Sequence, residues 1–157
     1  MIIFGYPGIG KTLTYEANKK QYIDLDSYIF NKKLNGGWVP IYFKLAEAFS
    51  ELGRDVFVST HEEVIRYFKD HSKQPLLLIY PSIYISKEWS ERLYLRYKRS
   101  GLESDYKAWT HTVNRLYLDI GFFNSYTLKD IPFVELNNMN YNLHEIIQEQ
   151  KNKLSQK

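Results

Sequence analysis

Gly5-Tyr6-Pro7-Gly8-Ile9-Gly10-Lys11-Thr12 satisfies G-x-x-x-x-G-K-[ST], the spacing of a phosphate-binding loop, or P-loop. The chemistry of that spacing is anion capture. Glycines let the backbone turn tightly so that successive N–H groups converge on phosphate oxygens, and a helix starting at the lysine adds its partial positive end. On this reading Gly5, Gly8, Ile9, Gly10, Lys11, Thr12 and Leu13 line the phosphates. Lys11 bridges the β- and γ-phosphates, and the Thr12 hydroxyl ligates Mg²⁺. The ligands expected are therefore ATP and Mg²⁺. The plainer alternative is a glycine-rich turn followed by a chance Lys-Thr. The flanks argue against it: Met1–Phe4 is an apolar run that reads as a buried parallel strand, and residues 11–20 read as a helix without interior Gly or Pro.

Asp24 and Asp26 stand two apart at the end of a second apolar stretch, so a persisting strand would point both carboxylates to one side. Asp24 is assigned to the Mg²⁺ shell through water. Asp26 is assigned to the attacking oxygen of a phosphoryl acceptor, which it would orient or deprotonate. Its bland alternative is a turn in which Asp26 caps a short helix at Ser27. Arg92, Arg96 and Arg99 fall at i, i+4 and i+7, which places three guanidiniums on one helix face suited to charge on a phosphoryl group in flight. A solvated basic face balanced by Glu88 and Glu91 is the competing reading. Arg115 is a weaker candidate. His61 is a minor candidate for touching substrate, and His71, His111 and His144 read as surface. The third and fourth strands end in Val58-Ser59-Thr60 and Ile79-Tyr80-Pro81, without the acid that holds Mg²⁺ in most P-loop ATPases.

The elements that must position these residues alternate. Strands are expected at 21–25, 55–59, 76–80 and 132–136 besides the first. Helices are expected from Pro40 to Leu52, from a Thr60–Glu63 capping box to about 72, over 87–99, over 103–120 with Gly121 ending it, and after a capping box of Asn142 and Glu145. The core stripes expected are Ile41, Leu45, Ala48, Phe49 and Leu52; Tyr106, Trp109, Val113, Leu116, Tyr117 and Ile120; and Leu143, Ile146, Ile147 and Leu154. Asn31–Gly37 is expected to be a loop. Strict alternation implies a parallel sheet covered on both faces, with ligands beyond the carboxyl ends of the strands, at loops 5–12, 24–37, 59–61, 80–86 and 137–142.

With 157 residues, 44% hydrophobic and 25% charged, the chain reads as one globular domain spanning 1–157. A net charge of +3 is too small to argue for nucleic acid as partner. The absence of cysteine excludes disulfides, thiolate zinc sites and a cysteine nucleophile. No apolar run is long enough to span a membrane and a strand begins at residue 2, so a cytoplasmic protein is expected. Oligomeric state is not legible.

On the P-loop and on Asp24-Leu25-Asp26, which looks like the Asp-x-Asp of shikimate kinases, the chain resembles the P-loop small-molecule kinases, the superfamily of nucleoside-monophosphate and shikimate kinases. The Val58–Val64 run Val-Ser-Thr-His-Glu-Glu-Val and Tyr80-Pro81 also resemble small nucleotide-kinase-like proteins of bacterial viruses. The resemblance implies a three-layer α/β P-loop NTPase fold, a five-stranded sheet ordered 2-3-1-4-5, and an arginine-bearing lid at about 87–105. It implies a kinase moving the γ-phosphoryl of ATP to a small acceptor, a nucleoside monophosphate being favoured. The chain lacks the Asp-Gly-x-Pro-Arg of adenylate kinases and the Gly-Gly of shikimate kinases, which leaves the acceptor open. A non-catalytic nucleotide-binding switch or assembly factor is the other class.

Overall fold

In a computed structural model of the chain, residues 1–30 and 37–156 are described. The strands are β1 (Ile2–Gly5), β2 (Tyr22–Asp24), β3 (Asp55–Val58), β4 (Leu76–Pro81) and β5 (Phe133–Leu136). The helices are α1 (Lys11–Ala17), α2 (Trp38–Glu51), α3 (Glu62–His71), α4 (Ser86–Ser100), α5 (Glu103–Phe123) and α6 (Leu143–Ser155). The five strands form one parallel sheet in the order β2-β3-β1-β4-β5. Every residue of β1 and β3 is buried, and successive strand side chains alternate faces, so helices must cover the sheet on both sides. α1 packs against α6 and α2 against α3, while the Arg66 guanidinium of α3 lies over the Phe122 ring of α5. Both the parallel sheet and its strand order agree with expectation.

Several local expectations shift, each for a physical reason. α1 stops at Ala17 rather than running to Lys20, because Asn18 leaves helical geometry and its side chain bonds to both the backbone and the side chain of Gln21. α2 begins at Trp38, two residues before Pro40, which is harmless because first-turn N–H groups have no helical partner. Its buried face is Trp38, Val39, Tyr42, Ala46 and Ser50, whereas Ile41, Leu45 and Leu52 are exposed. The Trp38 and Tyr42 rings pack on each other and on Phe30, and Tyr42 also reaches Phe68; these aromatic contacts decide the face. α3 is capped by His61, not by Thr60, and its side chain makes no capping bond. α5 runs through Gly121 to Phe123, burying Thr112, Leu116, Ile120 and Phe123 while Tyr106, Val113 and Tyr117 face outward. At α6 the side-chain Oδ1 of Asn142 caps His144 N and Glu145 N as expected, although the Glu145 carboxylate accepts from Asn142 Nδ2 and not from its backbone N–H. Of the loop expected over Asn31–Gly37, all but Gly37 lies outside the described residues. Among the described residues no helix is long and apolar enough to cross a membrane.

Candidate functional site

β1 is the central strand, and the glycine loop leaves its carboxyl end between β3 and β4. Gly8 and Gly10 hold φ of 90° and 98°, a region that a side chain would strain. A Cβ on Gly8 would also meet Leu93 at 3.0 Å and the Trp89 indole nitrogen at 3.3 Å. The backbone N–H groups of Gly8, Gly10, Lys11, Thr12 and Leu13 donate to no other backbone group among the described residues, leaving a row of donors at the start of α1. The Lys11 ammonium donates to the carbonyls of Gly5 at 2.7 Å and Tyr6 at 3.5 Å. Burial pulls its pKa from 10.5 down to about 8, with Asp24 opposing that pull and Arg96 adding to it.

The Thr12 hydroxyl donates to Asp24 Oδ2 at 2.7 Å. Asp24 ends β2 and is half-buried, while Asp26 lies beyond the strand and is exposed. The strand therefore does not carry both carboxylates to one side. Asp26 Oδ1 instead accepts from Tyr28 N at 2.9 Å and caps the 3-10 turn Ser27–Ile29, the bland role considered for it. Both aspartates still line one cleft with the loop. Tyr42 fastens this turn: its buried hydroxyl donates to the Leu25 carbonyl at 2.7 Å and accepts from Ser59 N at 2.9 Å. Nothing in the residue pattern marked Tyr42 for that role, because the bond needs α2, β2 and β3 assembled.

α4 splits into two halves. Trp89 and Leu93 have no exposure at all, and the Trp89 indole donates to the Pro7 carbonyl at 2.9 Å. The first half of the segment expected as a lid is thus part of the core, and only the stretch beyond Leu93 stands clear of it. Arg92, Arg96 and Arg99 all line the cleft, yet they differ in employment. Arg92 donates to the carbonyls of Gly8 (3.4 Å) and Met139 (3.0 Å) and to the Tyr141 hydroxyl (3.0 Å). Arg96 pairs with Asp105 at 2.8 Å. Arg99 makes no ion pair among the described residues.

The cleft has a volume of about 2180 Å³, more than twice what a single small ligand typically fills. Its floor is the loop, and one wall holds Asp24, Asp26 and residues 59–62. α5 also lines the cleft, presenting Lys107, His111, Arg115 and Asp119. Lys107 reaches over the Tyr28 ring at 5.3 Å, which sets that helix beside the aspartate turn. Asp119 accepts from His111 Nε2 at 2.8 Å and from the buried Tyr6 hydroxyl at 3.1 Å, with Arg115 Nε at 4.0 Å. His111 was expected at the surface. It is solvent-exposed but stands in the cleft, and helical spacing alone does not say which face of a long helix meets a cleft. Of the other histidines, His61 lines the cleft and bonds to Ser59 Oγ at 2.9 Å. His71 is exposed and stacks on Tyr67, and His144 is half-buried against the Tyr22 hydroxyl at 2.7 Å. Residues 80–86, expected to face the ligand, do not line the cleft; Ser82 is buried and its N–H bonds to the Leu136 carbonyl.

Among the described residues no group of three or more His, Asp or Glu side chains could hold a metal by itself. Thr12 with Asp24 offers one hydroxyl and one carboxylate, a donor set that suits Mg²⁺ completed by phosphates and water and not a closed protein cage. No family model matches the chain, and neither does any curated protein. In three dimensions it is similar to the crystal structure of an uncharacterized protein from Eubacterium ventriosum, with a TM-score of 0.50 and 10% identity over 99% of this chain and 97% of that one, a likeness of fold alone.

Proposed function

We propose that this chain is a P-loop kinase that transfers the γ-phosphoryl of ATP, with Mg²⁺, to a small acceptor, with a nucleoside monophosphate the favoured class. The observation that carries the reading is the Thr12–Asp24 bond beside a desolvated Lys11 ammonium, where a glycine loop passes into α1 and five successive or near-successive N–H groups have no backbone acceptor among the described residues. A sheet ordered β2-β3-β1-β4-β5 with that loop after its central strand fits the P-loop NTPase fold.

The roles follow from the chemistry of each group. The loop amides and Lys11 take the β- and γ-phosphates, Lys11 giving up its bonds to Gly5 and Tyr6 to do so. Thr12 and, through water, Asp24 would hold Mg²⁺, which would offset charge on those phosphates. Asp26 orients the attacking oxygen of the acceptor and takes its proton where that oxygen is a hydroxyl. The new O–P bond forms as the bond to the β-phosphate oxygen breaks, and ADP leaves. Arg96 and Arg99 meet charge on the group in flight, and the stretch from Tyr94 to Asp105 is the part that would move as a lid. The α5 wall provides room and polar partners for the acceptor.

Two observations favour a second reading, a non-catalytic nucleotide-binding switch: Asp26 is engaged as a turn cap, and Ser59 and Tyr80-Pro81 stand where an acid would be expected. ADP production by the full chain against a panel of nucleoside and deoxynucleoside monophosphates separates the two. Turnover that depends on an added acceptor supports the kinase; ATP bound without turnover for any acceptor supports the switch.

A further inference from the structure

Three successive loop carbonyls are taken by side chains from outside the loop. Trp89 Nε1 donates to Pro7 O at 2.9 Å, Arg92 Nη1 to Gly8 O at 3.4 Å, and the Tyr141 hydroxyl to Ile9 O at 3.1 Å. The three donors belong to two elements that the sequence separates widely, α4 and the segment leading into α6. They also pack on one another: the Arg92 guanidinium lies 5.1 Å from the Trp89 ring and 5.6 Å from the Tyr141 ring, and those rings are nearly parallel. Arg92 donates to the Tyr141 hydroxyl, which donates onward to Ile9, so the guanidinium polarises the final bond of a short relay. Burial pushes the Tyr141 phenol up, which keeps it a donor, although Arg92 opposes the shift.

We propose that Trp89, Arg92 and Tyr141 form an external brace that pre-orders the loop for a phosphate-bearing ligand and joins it mechanically to the 137–142 segment, making Arg92 a positioning residue and not a ligand of the transferred group. The inference rests on the phosphate-loop reading above. A trans peptide directs its N–H opposite its C=O, so fixing the Pro7 and Ile9 carbonyls also fixes the directions of the Gly8 and Gly10 amides, while the Ile9 N–H between them is held by the Tyr6 carbonyl. Without the brace, a segment with glycines at φ 90° and 98° would have many backbone states to lose on binding. Arg92 Nη2 also holds the Met139 carbonyl, so the same side chain fixes both ligand-facing segments. A lysine there keeps the charge but cannot serve three acceptors in a planar fork.

The test uses the full chain with Tyr141→Phe, which keeps the ring, Arg92→Lys, which keeps the charge, and their double variant. Calorimetry measures affinity for pyrophosphate with Mg²⁺, a probe without a base, and amide hydrogen exchange is followed without ligand at Ile9 and Thr14, the loop amides that are hydrogen-bonded, to the Tyr6 and Gly10 carbonyls. Each single variant is expected to weaken pyrophosphate about 3–10-fold, the worth of a lost hydrogen bond, and the double variant by less than the product. Loop amides should exchange faster while those of β1 and β3 do not. Three results overturn the brace: loop amides exchanging at the parent rate; both variants binding as the parent does; or Arg92→Lys weakening binding while Tyr141→Phe does not, which would make Arg92 a direct ligand. Failure of the underlying reading looks different: the parent then binds no pyrophosphate, or binds it no less well after Lys11→Met, and the brace falls with it.

Discussion

Lys11 should make anion affinity fall, and free-protein stability rise, over the same alkaline range. Its ammonium is desolvated under the loop, which lowers its pKa from 10.5 to about 8. The sign follows from counting protons. Between those two values the unfolded chain holds the lysine proton and the folded chain has released it, so unfolded protein binds more protons and stability increases with pH. A phosphate ligand reverses the local balance. It restores charge stabilisation around the ammonium, so the liganded protein retains the proton and binding must take one up as pH rises through the free value. With a free pKa of about 8, the protonated fraction drops from about three quarters at pH 7.5 to about 3% at pH 9.5, so affinity for ATP with Mg²⁺ should weaken about 25-fold if only the charged form binds. Calorimetry at pH 8.5 in two buffers of different ionisation enthalpy reads the proton directly, and uptake of most of one proton is expected. Lys11→Met supplies the background from the many tyrosines and other lysines. A parent protein whose affinity is flat from pH 7.5 to 9.5, or whose proton uptake persists in Lys11→Met, refutes the reasoning.

Other consequences can be checked independently. Asp26→Asn keeps the acceptor for Tyr28 N and so should fold normally, spare binding of ATP with Mg²⁺, and lower turnover about 100-fold or more if the carboxylate serves as base. Asp24→Asn should instead raise the Mg²⁺ concentration needed for half-maximal turnover; the opposite pattern would exchange the two assignments. Tyr42→Phe leaves the buried Leu25 carbonyl and the half-buried Ser59 N–H without this partner, and should cost about 1–3 kcal/mol in urea unfolding with an unchanged slope; a loss under 0.5 kcal/mol would mean that the latch contributes little. Hydrogen exchange should slow on addition of ATP and acceptor at residues 94–105 but not at 86–93, where Trp89 and Leu93 are already buried; equal protection of both stretches would contradict a hinge within α4.

How much was legible depends on how local the cause is. The chain order of strands and helices, the glycine loop with its paired flanks and the Asn142 cap all follow from residues close in sequence. An apolar run buried on both faces, a glycine at positive φ and a capping side chain are each settled within a few residues. Parallel pairing follows from the alternation itself, because helical crossovers allow little else. Helix faces were the first thing to escape. In α2 the apolar residues Ile41, Leu45 and Leu52 fit a stripe as well as Tyr42 and Ala46 do, and only the aromatic partners Phe30 and Phe68, from other elements, select the second stripe. α5 behaves likewise, with its buried face chosen by what Tyr6 and Tyr80 present to Phe123. Side-chain employment was the second. Arg92, Arg96 and Arg99 share a face in any helix, but whether a guanidinium is free, paired or holding a carbonyl depends on residues 139, 141 and 105 being brought near, and no spacing encodes that. The same holds for Thr12 and Asp24, whose 2.7 Å contact exists because β2 lies at the sheet edge with α1 packed beside it, an arrangement that only the tertiary structure decides.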